Sequence, residues 1–403
     1  MMKAYRYRIY PTKKQTRLLN EWLALCCEVY NAALQERRDA YRMASTSIGY
    51  SQQCAELPGC KEVRPELAAV NSQVLQNVLK RVDLAFDSFF RRVAAGQQAG
   101  YPRFRSRQRY DSLTFKQYGN SFSFSQEGKL ILSKIGQIKI VLHRPFKGVP
   151  KTATVSRSPT GKWSVSISCD GVEPVKLPAS EQQVGVDVGL KTFAYLSDGT
   201  TIENPRFFRE EQKHLAKAQR KLSKAQKGTP ERRKRRKVVA RIHERIRQRR
   251  ENFVQQAARR LVNQYGLIAL EALIVRNLLK NPTLAKSISD AAWSAFIRVL
   301  LDKAAEADRA VIRVNPAYTS QTCSGCSHRQ EMPLSVRIWE CERCSLMLDR
   351  DQNASLNILA QAVGRHGHVI QEAPLCRRGE SSHIRSCPDV LRREITQNDE
   401  YNR

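Results

Sequence analysis

The 403-residue sequence contains no run of 18 apolar residues, which is the length that a membrane-spanning helix needs. Residues 1–10 are basic and aromatic, and they lack the apolar core of a secretory signal peptide. Gly and Pro, at 19 and 16 residues, are too few for a low-complexity chain. These absences predict a folded cytoplasmic protein, and the length favours two or three domains.

Acidic residues are also scarce. The chain has 38 Asp and Glu against 69 Lys and Arg, which gives a formal net charge of +31. Such an excess can serve solubility or a loose membrane association, but in a chain of this size it is typical of proteins that bind nucleic acid. We therefore expect a polyanionic partner.

The hydrophobic pattern predicts two kinds of structure in the first 180 residues. Residues 3–10 alternate like a strand, and Thr12 and Gln15 form a capping box at the start of a helix. Apolar residues at helical spacing over 18–33 and 75–90 predict two helices with ordinary core faces. Short strands that resemble a small β-barrel are predicted at 129–132, 137–142, 152–157 and 162–169.

Two segments have the composition of nucleic-acid contacts. Residues 101–107 interleave aromatic rings with guanidinium groups, and Arg103, Phe104 and Arg105 are the candidates there. Residues 209–250 contain eighteen Lys or Arg against four acids, in two helical stretches separated at 228–230. A charge run can be a solvated face, but one of a single sign repels itself without a polyanion. The candidate contacts in this basic hairpin are Arg232, Arg233, Arg235 and Arg236.

Four of the eleven cysteines are spaced as metal ligands. The pairs Cys323-x2-Cys326 and Cys341-x2-Cys344 are separated by fourteen residues, the spacing of a tetrahedral Zn²⁺ site. Four thiolates leave no open position for substrate, so we interpret the zinc as structural. The alternative is four free thiols in a reducing compartment, and free thiols are the default for the other seven cysteines.

Three acids stand out from apolar surroundings. Asp187 lies within the apolar stretch 184–190, Glu271 ends the stretch 267–270, and Asp351 precedes a predicted helix at 354–362. Taken singly, Asp351 could cap that helix and Glu271 could pair with a lysine. Together they follow the order of an RNase H-like nuclease, in which carboxylates hold two Mg²⁺ roughly 4 Å apart. Asp187 is the natural bridging ligand, and Asp349 remains a rival to Asp351.

The sequence Asp-Arg-Asp-Gln-Asn-Ala-Ser-Leu-Asn-Ile at 349–358 directly follows the two cysteine pairs. With this motif the chain resembles the TnpB family, the insertion-sequence proteins related to type V CRISPR nucleases. Further matching segments lie in the same order at 9–15, 101–104, 185–189, 287–293 and 318–323. The resemblance spans nearly the whole chain and weakens after residue 361.

The resemblance implies a multidomain α/β fold: an RNase H-like RuvC nuclease with an inserted zinc ribbon, and a wedge β-barrel that carries a helical recognition insert. The implied boundaries are 1–10 and 96–180 for the wedge barrel, 11–95 for the helical domain, 181–320 and 345–364 for RuvC, 321–344 for the zinc ribbon and 365–403 for a basic tail.

The same resemblance implies an RNA-guided DNA endonuclease of the prokaryotic cytosol or nucleoid. It would bind a guide RNA from the transposon end and cut double-stranded DNA beside a short flanking motif, with Gln76 as the candidate motif contact. Guide pairing would supply most of the sequence information. Two alternatives stay open: a non-cutting nucleic-acid-binding regulator, and a strand-joining transposase with a tyrosine nucleophile.

Overall fold

The computed structural model describes residues 1–333, 336–364 and 369–370. The chain divides into two compact units, the first containing Met1–Glu173 and the second beginning at Pro174. The predicted basic tail at 365–403 lies outside the described residues, except for the short strand at 369–370. Among the helices of the described ranges, none combines the length and the apolar character that crossing a membrane requires.

The first unit contains one seven-stranded antiparallel sheet in the order β2-β6-β7-β1-β5-β4-β3. The edge strands β2 and β3 are joined by only the five residues 117–121, so the sheet must curl until its two edges approach each other. The small barrel expected from the sequence is therefore present as a nearly closed sheet. Its strands are β1 Lys3–Tyr10, β2 Ser112–Lys116, β3 Phe122–Phe124, β4 Leu130–Leu132, β5 Gly136–Val141, β6 Val149–Arg157 and β7 Trp163–Asp170.

Three helices lie between β1 and β2 in the chain: α1 Lys13–Ala44, α2 Tyr50–Val63 and α3 Ser72–Ala94. The capping box of α1 is confirmed, because the Thr12 hydroxyl accepts from the Gln15 amide at 3.2 Å and the Gln15 side chain accepts from the Thr12 amide at 3.0 Å. The helix α2 had no sequence signal, since it contains Pro58 and buries only Gln53 and Leu57.

The second unit is built on a six-stranded mixed sheet in the order β10-β9-β8-β11-β12-β15. The first three strands pair antiparallel, whereas β11 lies parallel to both β8 and β12. A separate hairpin pairs β13 with β14. The strands are β8 Gln183–Val188, β9 Thr192–Leu196, β10 Thr201–Glu203, β11 Leu267–Glu271, β12 Ala310–Val314, β13 Ile338–Glu340, β14 Met347–Asp349 and β15 Val369–Ile370.

Helices cover both faces of this sheet. On β11, Ile268 and Leu270 belong to the large core formed with α5 and α8, while Ala269 faces the other way and packs with Ile358 of α9. This alternation explains why the strand reads as a continuous apolar run. The helices of the unit are α4 Phe207–Lys224, α5 Pro230–Gln264, α6 Val275–Leu278, α7 Ala285–Ala291, α8 Trp293–Ala307 and α9 Arg350–Ala362.

Candidate carboxylate and metal sites

The strand register places Asp187 and Glu271 side by side. Val186 of β8 pairs with Leu270 of β11 in a parallel ladder, so the next residue of each strand is a neighbour of the other. Adjacent strands lie about 4.8 Å apart, and residues paired in register face the same side of a sheet. Both carboxylates therefore stand at the carboxyl ends of the two strands, on the face that α9 covers.

A close helix contact brings the third acid to the same place. Gly185 lies against α9 so tightly that a Cβ at this position would be 2.0 Å from the Ser355 carbonyl oxygen and 2.8 Å from the Leu359 amide nitrogen. Asp351 lies one helical turn before Ser355, and Asp187 lies two residues beyond Gly185. The missing side chain of Gly185 thus lets the start of α9 approach the end of β8.

The charges of these acids interact. Burial raises the pKa of Asp187 well above its ordinary value, and the negative charges of Glu271 and Asp351 raise it further. Burial also raises the pKa of Glu271 and of Asp351, and Asp349 adds to the shift of Asp351. Glu271 and Asp351 therefore both lie near enough to Asp187 for their charges to act on it, and the three predicted acids form a carboxylate cluster around Asp187. Hard oxygen ligands that carry negative charge fit divalent cations such as Mg²⁺.

Neighbouring polar groups distinguish the acids from one another. The Thr319 hydroxyl donates to Glu271 Oε1 at 2.5 Å. Arg337 Nη1 lies 3.6 Å from Asp351 Oδ2. Asp349 caps α9, because its Oδ1 accepts the backbone amide of Asp351 at 2.8 Å. The capping role that the sequence left open for Asp351 therefore belongs to Asp349, and the Asp351 side chain stays available to the cluster.

The four cysteines with ligand spacing converge. Their sulfur atoms all lie within 4.8 Å of one another, and in the part of the chain that the structure describes they form the one group of three or more His, Cys, Asp or Glu side chains gathered so closely. Burial raises the pKa of Cys341, but the amides of Cys344 and Arg343 and the Cys326 thiol lower it to about 6. Cys323, Cys326, Cys341 and Cys344 fit a tetrahedral zinc site.

The candidate contacts of the first unit differ in their surroundings. Gln76 is half-buried on α3, whereas Arg103 and Phe104 are exposed. Asn31 holds the backbone of Arg105 from both sides, at 2.8 Å to its amide and 2.9 Å to its carbonyl. The Arg105 guanidinium stays 5.3 Å from the ring centre of Tyr30. The assignment of these residues to nucleic acid stays a prediction.

The basic hairpin is formed by α4 and α5. Arg232 donates to the carbonyls of Leu222 and Ala225 at 3.0 and 2.6 Å, so it closes the turn between the helices. Arg235 pairs with Glu231 at 2.6 Å. Arg233 and Arg236 are exposed. Of the four predicted contacts, Arg232 therefore has a structural role in the turn, and the assignment of all four to nucleic acid stays a prediction.

Four side chains near the carboxylates were not predicted as site residues. Tyr195 pairs in register with Asp187, and burial together with the charges of Asp349 and Asp351 raises its pKa. Thr319, Asn353 and Asn357 are buried between the cysteine site and the acids. The last three belong to the family-like segments 318–323 and 349–358, and only that resemblance could have drawn attention to them.

Three family models match this chain. They are described as "Probable transposase" over residues 166–282, "Cas12f1-like, TNB domain" over 293–358 and "Helix-turn-helix domain" over 1–44. A protein from Streptomyces pristinaespiralis, named "Putative RNA-guided DNA endonuclease", is 37% identical over 90% of this chain and 89% of its own length.

A second relative, from Escherichia coli K12, is named "Putative RNA-guided DNA endonuclease InsQ" and is 30% identical over 92% of this chain and 95% of its own length. A "TnpB-like protein" of Acanthamoeba polyphaga mimivirus is 23% identical over 87% of this chain and 72% of that protein.

Proposed function

This chain belongs to the TnpB family of insertion-sequence proteins, and we propose that it is an RNA-guided DNA endonuclease. The names of the relatives from Streptomyces and Escherichia coli support this activity, and both alignments extend over nearly the full length of each protein. The observation that carries the proposal is the convergence of Asp187, Glu271 and Asp351 on one carboxylate cluster. A plain DNA-binding protein has no need to gather three half-buried acids at one place.

The cluster would hold two Mg²⁺ ions. The carboxylates of Asp187, Glu271 and Asp351 would hold the ions, because the charges of Glu271 and Asp351 both act on Asp187. Bound Mg²⁺ would supply an activated water and stabilise the leaving 3′ oxygen. The sheet order, with the acids on two parallel strands and the helix behind them, supports an RNase H-like RuvC domain at 181–320 and 345–364.

The zinc has a different proposed role. Four thiolates close the coordination shell, so the zinc ribbon at 321–344 would be stabilised by its metal and would take no part in hydrolysis. The remaining proposed domains are the wedge barrel at 1–10 and 96–180 and the helical recognition domain at 11–95. The seven-stranded sheet interrupted by α1 to α3 supports that division.

The proposed partners are a guide RNA from the transposon end and double-stranded target DNA with a flanking motif. The formal charge of +31 supports contact with both strands of a heteroduplex and with displaced DNA. Exposed cations on the α4–α5 hairpin and at Arg103 would contact backbone phosphates. Gln76 on α3 would contact the flanking motif.

The decisive experiment compares the wild type with Asp187→Ala after expression together with the flanking DNA of the element. RNA that co-purifies is sequenced, and cleavage of a plasmid carrying the matching target is measured in Mg²⁺. We expect equal RNA content and a loss of cleavage of roughly 10³-fold or more, which corresponds to about 4 kcal/mol of transition-state stabilisation.

Two outcomes would contradict the proposal in different ways. Undiminished cutting by Asp187→Ala would remove this carboxylate from the mechanism. A wild type that binds RNA or DNA but never cuts a matched target would favour the alternative hypothesis, a non-cutting nucleic-acid-binding regulator.

A further inference from the structure

A chain of hydrogen bonds connects the cysteine site to Glu271, and its linking side chains Thr319, Asn353 and Asn357 are buried. It begins at the first cysteine pair, where the amide of Ser324, next to Cys323, donates to Asn353 Oδ1 at 2.9 Å. Asn353 Nδ2 then donates to the Thr322 carbonyl at 2.7 Å. Asn353 has no exposed surface, at 0%. The amide side chain therefore fixes both sides of the segment that carries the first zinc ligand.

A second asparagine extends the connection by one helical turn. Asn357 Nδ2 donates to the Thr319 carbonyl at 2.9 Å and to the Thr322 carbonyl at 2.6 Å. An amide nitrogen carries two hydrogens, so both are used on this segment. Asn353 and Asn357 lie four residues apart and share one face of α9, the helix that also supplies Asp351.

The segment ends at a carboxylate of the cluster. Thr319 is 3% exposed, and its hydroxyl lies 2.5 Å from Glu271 Oε1 and 3.3 Å from the Pro316 carbonyl. A hydroxyl has one hydrogen, and the shorter contact to a charged acceptor is the stronger one. Thr319 therefore fixes one oxygen of Glu271 while its own backbone is held by the helix of Asp351.

We propose that Thr319 is a positioning residue for Glu271, and that Asn353 and Asn357 couple the zinc ribbon to the carboxylate cluster. The inference rests on the proposed function, because it assigns these residues to the same metal site. Zinc binding would then do more than stabilise its own module. It would hold residues 319–324 in the conformation that orients Glu271 relative to Asp351.

Groups behind the ligands of a metal site commonly change metal affinity by about 10- to 100-fold when they are removed. The test uses the RNA-bound full-length protein and measures Mn²⁺ affinity by electron paramagnetic resonance, which needs no cleavage. Thr319→Val keeps the shape of the side chain but removes the donor, and it should weaken Mn²⁺ binding by about 10-fold or more. Thr319→Ser keeps the donor and should bind within about threefold of the wild type.

The matched control is Thr154→Val, which removes a half-buried hydroxyl from β6 in the other unit and should leave Mn²⁺ affinity unchanged. Asn353→Ser tests the coupling itself, and it should both weaken Mn²⁺ binding and speed the loss of zinc to a chelator. If Thr319→Val does not fold, the Asn353→Ser variant alone tests whether the zinc ribbon is coupled to the carboxylate cluster.

The outcomes separate this inference from the proposed function. Asp187→Asn should abolish specific Mn²⁺ binding, and if it does not, the metal site itself is wrong. If Asp187→Asn abolishes binding while folded Thr319→Val and Asn353→Ser bind Mn²⁺ and retain zinc like the wild type, only the positioning role is overturned.

Discussion

The cysteine site and the carboxylate cluster each bring side chains of like charge together, but the residues come from different distances along the chain. The four thiols come from 22 consecutive positions, 323–344, and their sulfur atoms already lie within 4.8 Å of one another. The three acids span positions 187–351 and are brought together by a parallel strand pair and a helix contact. The first site is encoded locally, whereas the second depends on the packing of the whole sheet.

Repulsion is also handled differently at the two sites. At the cysteine site, burial raises the pKa of Cys341 but backbone amides and the Cys326 thiol lower it to about 6. Burial raises the pKa of Cys323, whereas the pKa of Cys344 is lowered by a backbone amide but raised by neighbouring thiols to about 12. The carboxylates have fewer such donors, and the pKa of Asp187 is raised by burial and by its acidic neighbours. The cysteine site thus divides its protonation unevenly among four neighbouring thiols, while the carboxylate cluster keeps a charge imbalance that a divalent ion would relieve.

The largest effect expected from this contrast concerns the local site. Cys326→Ser should release the zinc and unfold the ribbon, because structural zinc contributes about 10 kcal/mol or more of binding free energy. Metal analysis should find close to one zinc per wild-type chain and almost none in the variant. Cys60→Ser is the matched control, since Cys60 is exposed and outside the cluster. A fully loaded Cys326→Ser protein would contradict the assignment.

The next effect tests the distributed site through its packing. Gly185→Ala introduces a methyl group where a Cβ would lie 2.0 Å from the Ser355 carbonyl, so α9 must move away from β8. We expect a loss of about 2–3 kcal/mol in the free energy of unfolding, measured in urea, and a large loss of cleavage.

The control is Gly59→Ala in α2, where nothing lies within 4 Å of the added Cβ. This helical substitution should raise stability by about 0.5–1 kcal/mol and leave zinc content unchanged. Wild-type cleavage by Gly185→Ala would mean that the acids do not depend on the close contact of α9 with β8.

The same contrast explains what the sequence could and could not reveal. Spacing alone predicted the convergence of the four cysteines, which the structure confirms, and apolar runs with single acids drew attention to Asp187 and Glu271, because both patterns are local. The carboxylate cluster was expected only from the order of the acids in the chain. The register of β8 with β11 and the contact of α9 with β8 cannot be predicted from any short segment of sequence. The polar network around Thr319 was missed because threonine and asparagine have no distinctive pattern before the fold brings them together.

The electrostatic difference can be tested without any cleavage. A raised folded-state pKa at Asp187 means that its contribution to stability is fully present below the unfolded value of about 3.9 and is lost as pH rises through the folded value. In Mg²⁺-free buffer at pH 8, Asp187→Asn should therefore be more stable than the wild type by about 1–3 kcal/mol. Urea denaturation at a series of pH values should show this difference in the free energy of unfolding shrink as the pH falls. Added Mg²⁺ should stabilise only the wild type.

Asp198 is the control, because its pKa is shifted in the opposite direction to that of Asp187. Burial raises its pKa, but hydrogen bonds from Tyr265 and Thr200 lower it below the ordinary value. Asp198→Asn should therefore be less stable than the wild type at pH 8, and this difference should vanish as pH falls through the lowered value. Identical pH dependence for the wild type and both variants would contradict the burial of a repelling charge at Asp187.

The smallest effect distinguishes Asp349 from Asp351, which lies two positions further along the chain. Asp349→Ala removes the N-cap of α9, which should cost about 1 kcal/mol of stability and reduce cleavage only a few-fold. Asp351→Ala leaves that cap in place and should abolish cleavage with little change in stability. Parallel urea denaturation and cleavage assays check both variants. If Asp349→Ala were as inactive as Asp351→Ala but equally stable, Asp349 would be a ligand of the cluster as well as a helix cap.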